Sequence, residues 1–140
     1  MTRLAAEHRS VAMDLGTGDG RFVLDRAAAQ PEELVIGVDA SAAAMAESSR
    51  RASRSGSRNA VFVASDVAAL PPELGGLADL LTIHFPWGSL LRAAVAADAS
   101  LVRLLRPGGT LRLLVSAASR DATGGLERLE PDAVAAAYRG

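Results

Sequence analysis

The chain has 140 residues, a formal charge of −1, 49% hydrophobic and 22% charged residues, and no cysteine. That length suits one domain with a proper core, and no apolar run approaches the roughly 18 to 20 residues that span a bilayer. Disulfides and thiolate metal sites are excluded, and two isolated histidines, His8 and His84, do not make a zinc site, so no metal is expected.

The first eight residues include an acid and no long apolar stretch, so no secretory leader is read there and the cytoplasm is the expected location. Residues 11–15 read as a short buried strand, and residues 20–29 as a helix that stops before Pro31, which cannot continue a helical ladder. Residues 34–38 form the next apolar run, closed by Asp39; Ser41 is a plausible N-cap for a helix reaching about residue 53. Residues 53–57, Ser-Arg-Ser-Gly-Ser, are the one low-complexity stretch and are expected to be a mobile loop. Further strands are expected at 60–64, 78–84 and 110–116, with one long amphipathic helix over 89–105 ended by Arg106-Pro-Gly-Gly109. Residues 117–125 turn polar and Gly-rich, and Pro131 opens a short Ala-rich helix. Strands alternating with helices imply an α/β fold, a doubly wound, mostly parallel sheet, in a single domain over residues 1–140.

Chemistry concentrates at the carboxyl ends of those strands, where open α/β sheets bind ligands. In Asp14-Leu-Gly-Thr-Gly-Asp-Gly20, the glycines 16, 18 and 20 allow a sharp turn and a close approach of bare backbone to a ligand. A dinucleotide fingerprint, counted from Gly16, would need its third glycine at position 21, where Arg21 stands. The pattern points instead to S-adenosylmethionine: Asp14 can reach a methionyl ammonium, and Asp39 can accept both ribose hydroxyls. After the third strand, Asp66 can accept from an adenine amine while the N–H groups of Val67 or Ala68 reach ring nitrogens; a turn-capping role for Asp66 is the alternative. Phe85-Pro-Trp-Gly-Ser-Leu-Leu91 places the chain's single tryptophan after a stiffening proline. Such a side chain can stack an extruded base or cap the core. Arg50, Arg51, Arg54 and Arg58 cluster near the end of the second helix, either as a solvated face or as a contact for a polyanion.

Together, Asp14 to Arg21, Gly37-Val-Asp39, Leu70-Pro-Pro-Glu-Leu74 and Phe85 to Leu91 resemble the aminoglycoside-resistance methyltransferases that modify N1 of adenine 1408 in 16S ribosomal RNA. The resemblance covers about residues 11–114 and implies a class I, Rossmann-like, S-adenosylmethionine-dependent enzyme acting on the 30S subunit. It implies a cofactor held by Asp14, Gly16, Thr17, Gly18, Gly20, Asp39, Ala40, Asp66, Val67 and Ala68. Thr82 to Trp87, with His84 and Phe85 among them, and Ser89 would line its methionine side. Trp87 would wall the pocket of the flipped base, and Arg50, Arg51, Arg54 and Arg58 would meet the RNA backbone. No general base is assigned, because adenine N1 is already nucleophilic; His84 is read as a packed or hydrogen-bonded residue.

The family is longer at both ends, and this chain is expected to lack the last two strands of the sheet and a second base-stacking tryptophan. The fifth strand would then be an edge, through which a homodimer is a further expectation. The family tends to carry an acid where this chain has Ala68. Two other functions stay open: a small-molecule methyltransferase, and a shortened non-catalytic module that binds cofactor or RNA.

Overall fold

A computed structural model describes residues 1–115 and 130–139. The order is α1 (Thr2–Ala6), β1 (Ser10–Leu15), α2 (Arg21–Ala29), β2 (Glu33–Asp39), α3 (Ala42–Ser55), β3 (Ala60–Ala64), β4 (Ala78–His84), α4 (Gly88–Val95), α5 (Ala99–Val102), β5 (Leu105–Leu114) and α6 (Pro131–Ala137), with 3₁₀ turns at Val67–Ala69 and Pro72–Leu74 between β3 and β4. The five strands form one sheet in the order β3-β2-β1-β4-β5, and every pairing is parallel.

Near-continuous apolar runs in β1 and β2 follow from their central places, since strands covered on both faces need apolar residues at every position. The two faces differ. Met13, Leu15, Ile36, Leu81 and Ile83 pack with Leu74, Ala94, Leu101 and Leu104 in one large cluster. On the other face, Ala12 and Val35 meet Val23 and Ala27 of α2 in a smaller one. Burying a Met, Leu or Ile of this kind contributes roughly 1.5 to 3 kcal/mol. The thin face lets α2 lie close to the sheet, and Gly37 makes that approach possible: a Cβ there would lie 2.7 Å from Val23 Cγ2 and 3.0 Å from Thr17 Cγ2.

Three sequence expectations change. Residues 53–55 are helix and not loop: α3 continues to Ser55, and Gly56, at φ +70°, closes it with the Ser57 N–H bonded to the Ala52 carbonyl at 3.0 Å, so the connection begins only there. A left-handed glycine is a standard helix stop. The long helix over 89–105 is two short ones, broken where Ala97 adopts φ +50° and Asp98 caps α5 by accepting from the Ser100 N–H at 2.8 Å. The fifth strand starts at Leu105, pairing with Ala78 before an irregularity at Pro107-Gly-Gly and resuming at Thr110 opposite Leu80. β5 ends at Leu114; its expected end at Ser116 and the polar run 117–125 lie outside the described residues. α1 and the two 3₁₀ turns were not foreseen.

α6 begins with Pro131 as expected, and the Tyr138 hydroxyl donates to the Ala94 carbonyl at 2.6 Å. Val134 and Tyr138 share a groove with Leu111 and Leu113, so α6 lies along a face of β5. Gly37→Ala should lower stability by about 1 to 3 kcal/mol through overpacking between β2 and α2, measured by urea unfolding; an unchanged midpoint would mean that α2 yields freely.

Candidate functional site

The strand order reverses between β1 and β4: β2 and β3 extend from one side of β1, β4 and β5 from the other. This switch point leaves a crevice at the carboxyl ends of the strands. A cavity of about 300 Å³ lies there, walled by the loops after β1, β2, β3 and β4. That volume falls at the lower end of the range for small-molecule sites.

The loop after β1 folds back over the end of β2, because the Val38 carbonyl accepts from both the Gly16 N–H (2.8 Å) and the Thr17 N–H (3.1 Å). Gly16 and Gly18 have φ of +72° and +59°, conformations that side chains disfavour. A Cβ on Gly16 would lie 2.6 Å from Leu90 of α4, whereas no described residue comes within 4 Å of one on Gly18, so the loop offers bare backbone to the cavity. Gly20 serves packing: a Cβ there would meet Phe62 at 2.5 Å and Ser48 at 3.0 Å.

Asp39 is half-buried in the wall, with Oδ2 accepting from the Gly18 N–H and Oδ1 from the Ser41 N–H, both at 2.8 Å. Each oxygen keeps acceptor capacity for a ligand. Asp66 also lines the wall, but its Oδ1 accepts from the Ala68 N–H at 2.8 Å and caps the 3₁₀ turn. The Ala68 N–H is thereby engaged inside the protein, while Val67 and Ala40 remain in the wall.

Six candidates stand outside the wall: Asp14, Thr17, Gly20, Ala68, Thr82 and His84. Four of them make a polar cluster at the carboxyl end of the central strands. Asp14, 3% exposed, accepts from the Thr82 hydroxyl at 2.6 Å, and His84 Nδ1 stands 3.5 Å from the same Oδ1. The His84 ring packs edge-on against Phe22 of α2, with centroids 4.8 Å apart, the packed position expected for it. Burial raises the Asp14 pKa by disfavouring the charged form, and the Asp39 charge adds to this; Thr82, Thr17 and His84 pull the other way. Among the described residues, Thr17 Oγ1 is buried with no partner in hydrogen-bonding geometry.

After β4, Phe85 is held at φ +49°, a left-handed conformation that costs a side chain roughly 1 to 3 kcal/mol. Its N–H donates to the Leu114 carbonyl at 2.8 Å, and the residue is 63% exposed. Trp87, at the cap of α4, is 83% exposed, so it does not cap the core; with Ser89 it stands in the cavity wall. Leu15, Val38, Leu70, Gly88 and Leu90 also line the cavity and were not among the candidates. Each adjoins or lies close to a candidate in sequence, which is the signal that was available.

The arginines lie elsewhere. Arg50 and Arg54 are exposed on α3, both paired with Glu47, and Arg51 is exposed beside them. Arg58 follows the end of α3, in a groove with Arg9 and Glu32 at the amino end of the sheet, the end towards which Arg51 and Arg54 also lie. Among the described residues no helix is long and apolar enough to cross a membrane, and no group of three or more His, Cys, Asp or Glu could hold a metal ion.

Residues 1–137 match the family model described as NpmA: 16S rRNA (adenine(1408)-N(1))-methyltransferase. The chain is 32% identical over 106 residues to the Escherichia coli 16S rRNA (adenine(1408)-N(1))-methyltransferase, covering 73% of this chain and 48% of that protein. It spans about half the length of the curated relatives it matches. Among solved structures, the aminoglycoside resistance methyltransferase NpmB1 superposes with a TM-score of 0.84 at 38% identity, covering 99% of this chain and 75% of that one. A tryptophan-to-alanine variant of the 16S rRNA (adenine(1408)-N(1))-methyltransferase from Catenulisporales acidiphilia, with cosubstrate S-adenosylmethionine, superposes at 0.81 with 29% identity, covering 97% and 73%.

An aspartate whose folded pKa is raised adds stability below its ordinary value of 3.8, and that contribution is lost as pH rises through the folded value. Ionised Asp14 therefore costs stability at neutral pH. Asp14→Asn, which also offers Thr17 Oγ1 a donor, should raise the melting temperature at about pH 7, with the gap closing towards pH 4. A melting temperature lowered at every pH would contradict this.

Proposed function

The chain belongs to the family of 16S rRNA (adenine(1408)-N(1))-methyltransferases, and we propose that it binds S-adenosylmethionine in the cavity at the ends of β1 to β4 and methylates N1 of an adenine in 16S rRNA. The donor set fits this cofactor: a carboxylate in the wall for vicinal hydroxyls (Asp39), bare backbone at Gly18, and a buried anionic cluster around Asp14 for an ammonium group. Asp66 and the Val67 N–H would take the adenine edge, and Phe85 and Ser89 would flank the methionine side. When bound, S-adenosylmethionine supplies a methyl group on a positively charged sulfur, transferable to a nucleophilic ring nitrogen without a base.

The protein's share is then alignment and desolvation. The residues after β4 would hold the target base over the cavity mouth, and Asp39 would fix the ribose end. Asp14 acts from beneath, as a buried negative charge near the carboxyl ends of β1 and β4. The observation that carries the RNA substrate is Trp87, a tryptophan 83% exposed at the rim, placed by Pro86 and a strained Phe85. A large aromatic in water gains little unless something stacks on it, and base stacking contributes about 1 to 3 kcal/mol per base. Arg50, Arg51 and Arg54 on α3, with Arg58 just beyond its end, would meet the RNA backbone. Action on ribosomes implies a cytoplasmic location, and a dimer would pair through the outer side of β5.

The test is methyl transfer to 30S subunits, read by primer extension at adenine 1408. The wild-type chain should methylate that base, and Trp87→Ala should lower the rate roughly tenfold to a hundredfold while leaving S-adenosylhomocysteine binding unchanged. Full methylation by the variant would remove the stacking role, and transfer to small amines or phenols alone would replace the RNA substrate.

A further inference from the structure

The outer face of α3 carries a three-way ion pair. Glu47 Oε2 accepts from Arg50 Nε (3.2 Å) and Nη2 (3.0 Å), and Oε1 accepts from Arg54 Nη2 at 3.0 Å. All three side chains are exposed, and pairs of this kind contribute little to stability. α3 is held instead by its inner face, where Met45, Ser48 and Ala52 are buried. The consequence of the trio is geometric. Two guanidinium groups one turn apart, which would otherwise repel, converge on the two oxygens of one anion, and the nonbridging oxygens of a phosphodiester ask for the same donor arrangement.

We propose that Glu47 is an internal stand-in for an RNA phosphate: it keeps Arg50 and Arg54 converged while RNA is absent and gives way when a backbone phosphate takes its place. This role rests on the RNA-facing reading of α3 above. Three features support exchange. Glu47 is surface-exposed, so its departure disturbs no packing. Hydrogen bonds from Arg50 hold its carboxyl below the ordinary Glu range, the direction expected of an anion already seated between guanidinium donors. Counterion release favours the RNA side of the exchange. Glu47 thus trims affinity for any polyanion, whereas Arg51 makes no ion pair with it.

The experiment measures binding of the chain to 30S subunits by filter retention across a salt series, for wild type, Glu47→Gln, the pair Arg50→Gln and Arg54→Gln, and all three together. Glu47→Gln should tighten binding about threefold to tenfold at low salt with an unchanged melting temperature. The arginine pair should weaken binding and flatten the salt dependence by about one to two units of log–log slope. In the triple variant the gain from Glu47→Gln should vanish, since it works through the two arginines. A gain that persists there would mark Glu47 as a long-range charge only, and neutral or weakened binding by Glu47→Gln alone would make it an ordering partner; either overturns the proposal while α3 remains an RNA face. An arginine pair without effect, or no binding by wild type, would remove the RNA face itself and the proposal with it.

Discussion

Asp39 joins three loops at once. Its carboxylate accepts from the Gly18 N–H in the loop after β1 and from the Ser41 N–H at the start of α3, and its carbonyl accepts from the Ser65 N–H after β3 at 2.9 Å. Hydrogen bonds to a charged group contribute about 1.5 to 3 kcal/mol each, so one side chain holds the glycine loop in its left-handed course and sets the mouth of the cavity. The adjacent Val38 carbonyl completes the clasp by taking the Gly16 and Thr17 N–H groups. Protein donors approach Asp39 from the loops, and its remaining lone pairs are available to a ligand. The same residue therefore shapes the site and would serve in it.

The asymmetry of the sheet explains where the rest of the chemistry lies. Large side chains fill the face beneath α4 and α5, while the α2 face is thin, made of Ala12, Val35 and Gly37. A thin face has room for a polar cluster at its carboxyl end, and Asp14, Thr17, Thr82 and His84 occupy it. A buried carboxylate and an orphan hydroxyl are poor choices for stability, which is the pattern expected where a fold retains groups for binding. Phe85 repeats the pattern on the backbone, in a left-handed conformation beside the most exposed large aromatic of the described chain.

Much of this architecture was legible in the sequence. Residues 60–64 and 78–84 coincide with β3 and β4, and Pro31 and Ser41 mark helix limits. Regular periodicity and strong punctuators suffice there. Composition misled at 53–57, where a Ser-Gly-rich string reads as loop although the helix needs only one glycine after it to stop. The break at Ala97 had no Gly or Pro to announce it, though Asp98 two residues before Ser100 was a readable cap. Pro107-Gly-Gly reads as a boundary, yet pairing with β4 resumes on both sides and draws it into β5. At the site, the glycine loop, Asp39, Asp66 and the 85–89 segment were readable from their chemistry. That Asp14, Thr82 and His84 stand outside the cavity wall was not, because the alternation of a strand assigns a face and says nothing of depth.

The most direct test of this account is calorimetric titration of the chain with S-adenosylhomocysteine, alongside Asp39→Ala. The account predicts saturable binding at one site by the wild type and at least a tenfold loss in the variant. Absence of binding by a folded wild-type chain, or equal affinity in the variant, would contradict it.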